Sequence, residues 1–267
     1  MADPVADPGA DTAAFADAVA KEADLLLRAA EARRLTLRLT GSLGVSLHSP
    51  GSRHLLGLLG RRHYRDIDVM GVWKQQRAVS HMFEERGYLP DPDIKQAQDF
   101  GSKRLIYQHP ETGIKVDVFM DDLVMAHTVP FGRRLELDSP TISVTDLLLS
   151  KLQIHEITEN DLIDMVVLLA DHDLGARERE AIDHGYVASL LAKDWGFWWT
   201  TMSNLEKLDA ALDRYQAVPV EMAGTVRERV ATLRRQLEAT PKSGRWKLRA
   251  RVGTRVRWYE EVQEVHR

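Results

Sequence analysis

Cysteine is absent from the 267-residue chain. That excludes disulfides and thiolate metal sites, and it fits a reducing compartment. Long apolar runs are also missing: none approaches the roughly 18 residues that cross a bilayer as a helix, so no membrane span is expected. Met1-Ala2-Asp3-Pro4 has neither the basic start nor the apolar stretch of a secretory signal, and the expected location is cytoplasmic. The ten histidines include no His-Glu-x-x-His spacing, so no zinc site is expected. There is no internal repeat, and no low-complexity tract beyond the Ala/Asp/Pro bias of the first residues. What is present is ordinary for a globular chain, 44% apolar and 28% charged, long enough for one large domain or two modest ones. The net charge of -4 argues against a surface given over wholly to nucleic acid. Charge is uneven, however: Lys242, Arg245, Lys247, Arg249, Arg251, Arg255 and Arg257 follow one another with no acid among them.

Phe15, Val19, Ala20, Leu25, Leu26, Leu27 and Ala30 recur at helical spacing, which predicts an amphipathic helix over 11–34 packed on the sheet that follows. Leu35, Leu37 and Leu39 alternate with polar residues and end at Gly41-Ser42, the pattern of a strand running into a turn. Two short helical pieces are expected between Leu43 and Arg65. Asp66-Ile67-Asp68-Val69-Met70 reads as a buried strand, Gln75–Arg86 as a helix stopped by Gly87, and Arg104–His109 with Lys115–Phe119 as strands joined through Pro110-Glu111-Thr112-Gly113. After Pro140 the patterns become helical. Ser143-x-x-Asp146 and Thr158-x-x-Asp161 are helix starts, and further helices are expected over Tyr186–Tyr215 and Val220–Leu237. Trp195, Phe197, Trp198 and Trp199 are expected in the core of this helical region. The alternation of Trp246, Leu248, Ala250 and Val252 with Lys247, Arg249 and Arg251 predicts a strand or extended tail with one basic face.

Strand geometry gives the acids their interest. Asp66 and Asp68 project to one side of their strand while Ile67 and Val69 project to the other, which holds two carboxylates a few ångströms apart. Such a pair shares either a proton or a cation, and oxygen-only donors on a strand suit Mg²⁺. Asp117, between Val116 and Val118, is a third acid among apolar neighbours. If its strand lies beside the first, three carboxylates converge, the donor set of two-metal displacement at phosphorus. Gly41 permits close backbone approach to a phosphate, and Ser42 adds a hydroxyl and an N–H.

Gly41-Ser42, then Asp66-Ile67-Asp68, then Asp117, in that order, resembles the nucleotidyltransferase superfamily, the DNA polymerase beta-like fold. Asp146–Lys151 and Asp161–Asp164 extend the likeness to stand-alone members, including abortive-infection toxins. The resemblance covers about 35–170. It implies that Asp66, Asp68 and Asp117 are catalytic and hold two Mg²⁺ ions, with Mn²⁺ as an alternative. It further implies that Gly41, Ser42 and Lys151 contact the nucleotide, with Asp164 as the partner of Lys151 or a further nucleotide contact. Asp161 alone reads as a first-turn acid and is left out of the site. One departure is the long segment from Leu43 to Arg65 between Gly-Ser and the acid pair, rich in His48, Arg53, His54, Arg61, Arg62, His63 and Arg65. It implies either acceptor specificity or a phosphate loop elsewhere.

The expected architecture is therefore α+β: an N-terminal helix over 1–34, a mixed-sheet nucleotidyltransferase core over 35–140 flanked by helices, a helical region over 141–240 and a basic tail over 241–267. The expected activity is Mg²⁺-dependent transfer of a nucleoside monophosphate from a nucleoside triphosphate, ATP or CTP, to an acceptor hydroxyl, on RNA such as tRNA, a small molecule or a protein, with diphosphate released. An inhibitory partner protein of the toxin–antitoxin kind is a further expected partner. The rival readings are a catalytically silent nucleotide- or partner-binding protein of the same fold, and another two-metal phosphotransferase or nuclease.

Overall fold

Alternate residues of four strands build one apolar face, and that face organises the first part of the chain. In the computed structural model residues 8–61, 64–92, 103–176 and 181–261 are described, and Arg62, His63 and the last six residues of the basic tail lie outside them. Strands β1 (Leu37–Leu39), β2 (Asp66–Gly71), β3 (Leu89–Pro90), β4 (Arg104–Gln108) and β5 (Lys115–Met120) form a mixed sheet in the order β1-β2-β5-β4-β3. β2 and β5 are parallel, and the other pairs are antiparallel. Leu37, Leu39, Ile67, Val69, Leu105, Tyr107, Val116 and Val118 share one side and are buried.

Two helices cover that side. α1 (Pro8–Ala32) contributes Val19, Ala23, Leu26 and Ala30, three or four residues apart, and α4 (Gln76–Glu85) contributes Val79, Met82 and Phe83. The Phe83 ring stacks on Tyr107 with centroids 4.5 Å apart. Each large aliphatic or aromatic side chain removed from water here contributes roughly 1.5–3 kcal/mol. α4 stops where expected: Gly87 takes a φ of 83°, a left-handed conformation that a β-carbon disfavours. This sheet unit comprises residues 1–44, 62–121 and 132–142.

The second unit, residues 45–61, 122–131 and 143–267, is mainly helical. Between the Gly-Ser pair and β2 the two expected pieces are α2 (Gly41–His48), whose first turn still belongs to the sheet unit, and α3 (His54–Leu58). A hairpin joins β6 (Asp122–Val124) to β7 (Thr128–Pro130). α5 (Val144–Leu152) is buried at every position, and α6 (Glu159–Asp171) buries Leu162 through Leu169. A short parallel pair, β8 (Asp173–Gly175) and β9 (Ala181–Asp183), leads to α7 (His184–Leu191) and α8 (Trp195–Leu212). These two helices replace one expected pattern because Asp194 accepts from Phe197 N–H and starts a new helix. Ser143 caps α5, and Thr158 with Asp161 forms a full capping box on α6. α9 (Val220–Ala239) then packs on α6, α7 and α8.

The basic tail departs from expectation. Residues Gly244–Val252 form a helix, α10, not a strand or extended segment. Alternate apolar residues are also i and i+4 pairs, Trp246 with Ala250 and Leu248 with Val252, so the pattern fits both periods. Ser243 settles it by accepting from Trp246 N–H, and the Lys, Leu, Arg and Ala that follow are good helix formers. The aromatic group divides as well: Trp195 and Phe197 are buried, whereas Trp199 is 41% exposed. No helix among the described residues is long and apolar enough to cross a membrane.

Candidate active site

The sheet face opposite the helices carries the acids. Asp68 and Asp117 are direct partners in the register of parallel strands β2 and β5, about 4.8 Å apart as neighbouring strands require. Ile67, Val69, Val116 and Val118 are locked into the core, and this forces the alternate side chains outward. Asp66 and Asp68 are half-buried, as is Asp117, whose side chain is 15% exposed.

Gly41 reaches the same place from β1. Thr40 N–H donates to the Asp68 carbonyl at 2.9 Å, so β1 delivers the start of α2 directly beside β2. A β-carbon on Gly41 would lie 2.2 Å from Asp68 Oδ2, and Gly41 takes a φ of 61°. Space and backbone conformation thus both demand glycine. The intervening segment does not separate the Gly-Ser pair from the acids, because β1 and β2 pair in space whatever lies between them in sequence. The N-terminal end of α2, the pole of a helix that favours anions, therefore opens beside a carboxylate.

The sequence reading missed Arg104. From β4 its Nε donates to Asp117 Oδ1 at 2.8 Å and to Oδ2 at 3.1 Å, and Nη2 also bonds Oδ2. The guanidinium lies over the Phe119 ring at 5.2 Å. Burial alone would lower its pKa, but Asp117 outweighs burial, Asp68 adds to it, and the pKa is raised. A lone arginine opening a strand next to an acid-bearing strand was the available signal. Among the described residues no three His, Asp or Glu side chains stand close enough together to enclose a metal ion. The Asp117 carboxylate is held on Arg104 instead.

Lys151 and Asp164 belong to the helical unit and form a closed charge network. Lys151 Nζ lies 2.9 Å from Asp161 Oδ1 and 2.8 Å from Asp164 Oδ2. Arg61 donates to both Asp164 oxygens, at 2.5 Å and 3.1 Å. Burial opposes the charge on Lys151, yet Asp164 and Asp161 more than offset it and raise its pKa. Asp161, left out of the site from sequence, both caps α6 and pairs with Lys151. Burial would raise its pKa, but Lys151 and the Thr158 hydrogen bonds lower it.

No family model matches the chain, and no curated protein matches it either. Among solved structures the chain is similar to a lincosamide antibiotic adenylyltransferase with lincomycin bound, with a TM-score of 0.38 and 22% identity over 55% of this chain and 94% of that one. A likeness of that size adds nothing to the geometry of the acids, which stands by itself.

Proposed function

We propose that the chain is a Mg²⁺-dependent nucleotidyltransferase acting through Asp66, Asp68 and Asp117. One observation carries the reading: Asp68 and Asp117 stand in register on parallel strands, with Gly41 pressed against the Asp68 carboxylate. The donors suit the ion in kind, since Mg²⁺ needs only one or two carboxylates and completes its shell with water and substrate phosphates. The set offers only carboxylate oxygens, its members share one sheet face, and it already attracts a cation in Arg104. Magnesium bound there, with Mn²⁺ as its substitute, would neutralise the triphosphate and lower the pKa of the attacking hydroxyl. Gly41 and Ser42 would take phosphate oxygens with backbone N–H groups and the serine hydroxyl. Asp117, released from Arg104, would accept the acceptor's hydroxyl proton while the new P–O bond forms and the bond to diphosphate breaks. Lys151 and Asp164 would bear on the nucleotide only if their network opened, so the sheet residues carry the proposal.

The acceptor under this proposal is RNA or a small hydroxylated molecule. The decisive experiment incubates the protein with each α-labelled nucleoside triphosphate, Mg²⁺ and total RNA, beside Asp66→Ala/Asp68→Ala. Label entering RNA with the wild type alone supports the reading and names the nucleotide. The second reading, a silent nucleotide-binding protein, is favoured by the hold of Arg104 on Asp117. Triphosphate binding by calorimetry, with no transfer to RNA, small-molecule or protein acceptors, would establish it instead.

A further inference from the structure

Helical periodicity divides α10 into two faces. Trp246, Arg249 and Ala250 turn inward: Trp246 meets Trp198 edge-on at 5.3 Å, and the Arg249 guanidinium lies over Trp195 at 4.9 Å. Lys247, Arg251, Leu248, Val252 and Arg245 follow one another around the outward arc and are all exposed. The chain then folds back, because Arg249 donates to the carbonyls of Gly253, Val256 and Arg257. That return fixes exposed Arg255 close to the helix. Arg245, Lys247, Arg251 and Arg255 make no ion pair among the described residues, and the sequence has no acid between Glu238 and Glu260. A second observation lies in the same unit. Trp199 is 41% exposed and stacks on Trp195, the ring beneath Arg249, at 5.5 Å.

We propose that this surface binds single-stranded RNA, with Arg245, Lys247, Arg251 and Arg255 on phosphates and Trp199 stacked on an unpaired base. Four unpaired cations in a chain of net charge -4 are a concentrated target for a polyanion. An open aromatic face beside them supplies the sequence-tolerant stacking that single strands use. An anionic membrane is the poorer match, since the tryptophan of α10 faces inward and its outward apolar residues are only Leu248 and Val252, both flanked by cations. This inference stands apart from the transfer reaction and holds even if the acceptor is a small molecule.

The test measures anisotropy of a labelled single-stranded RNA titrated with the full chain over a series of KCl concentrations, without nucleotide. Arg245→Glu/Arg251→Glu/Arg255→Glu should weaken binding at least about 100-fold and flatten the slope of log K against log salt by about 2, as three lost phosphate contacts require. Trp199→Ala should weaken it about tenfold with the slope unchanged. Circular dichroism checks folding, and Arg251→Gln/Arg255→Gln, expected to flatten the slope by about 1, reads the same contacts if the triple variant unfolds. Unchanged affinity and slope in the charge variants would overturn the proposal. So would phosphatidylserine vesicles or polyglutamate binding the wild type as tightly as RNA does. Asp66→Ala/Asp68→Ala should keep RNA binding, so failure of the transferase reading and failure of this one are told apart.

Discussion

Each unit of this protein sets aspartates against cations, and the two do so differently. In the helical unit Lys151 and Arg61 face Asp161 and Asp164, two charges of each sign, with Asp164 wholly buried. In the sheet unit one guanidinium serves Asp117 and faces Asp68, with Asp66 on the same side and the group still reachable by water. Among the described residues that enclosed network is balanced, and removing any member leaves another charge without its partner. Among the described residues the three sheet acids outnumber the guanidinium that Asp117 holds. The difference teaches that an aspartate's neighbours, more than its burial, decide whether it is available for chemistry.

The sharpest break between the two units should appear on replacing acids one at a time. Asp68→Asn or Asp117→Asn should cut nucleotidyl transfer on the order of 10³-fold, the several kcal/mol that metal-held charge supplies, with little change in the denaturation midpoint. Asp164→Ala should do the reverse and destabilise the fold by about 3–5 kcal/mol by stranding Lys151 and Arg61. Urea denaturation measures it, and Lys151→Met in the same chain should recover part of the loss. A smaller effect is expected at Gly41→Ala, where the forced φ and the approach to Asp68 should cost about 1–3 kcal/mol and lower triphosphate affinity in calorimetry.

The smallest effect concerns a histidine outside both groups. His127 is buried, with its ring stacked on Phe197 at 5.1 Å and Nε2 2.8 Å from Thr200 Oγ1. Burial lowers its pKa to about 4, with Asp194 opposing and His155 adding to the shift. Because the folded value lies below the unfolded one, the unfolded chain takes up a proton first as pH falls. The contribution of neutral His127 to stability is therefore full above the unfolded pKa, drains between about 6.5 and 4, and is lost below that window. The loss should be about 1–3 kcal/mol, read as the difference in pH dependence of urea midpoints between wild type and His127→Gln.

Much of this was legible in the residues. Period-two apolar runs marked β2, β4 and β5 because a strand buried on one side must alternate, and Ser143 and Thr158 marked helix starts because the first amides of a helix need acceptors. The order Gly41-Ser42, Asp66-x-Asp68, Asp117 was readable for the same local reasons. The tail misled because its alternation satisfies two periods at once. Arg104 and Arg61 stayed hidden because each meets its aspartate across strands or helices far apart in sequence, and no local spacing encodes a partner 13 or 103 residues away.

By itself, then, the sequence determined the alternation that turns Asp66, Asp68 and Asp117 away from the core, since a one-residue slip would bury charge and expose valine. Only the tertiary structure decided which strands became neighbours. Pairing β2 with β5 set Asp68 beside Asp117, pairing β1 with β2 brought Gly41 against Asp68, and pairing β4 with β5 gave Asp117 to Arg104. The physical reason is that hydrogen bonding between strands is blind to side-chain identity, so the partner of a strand is settled by how the whole sheet buries its apolar face.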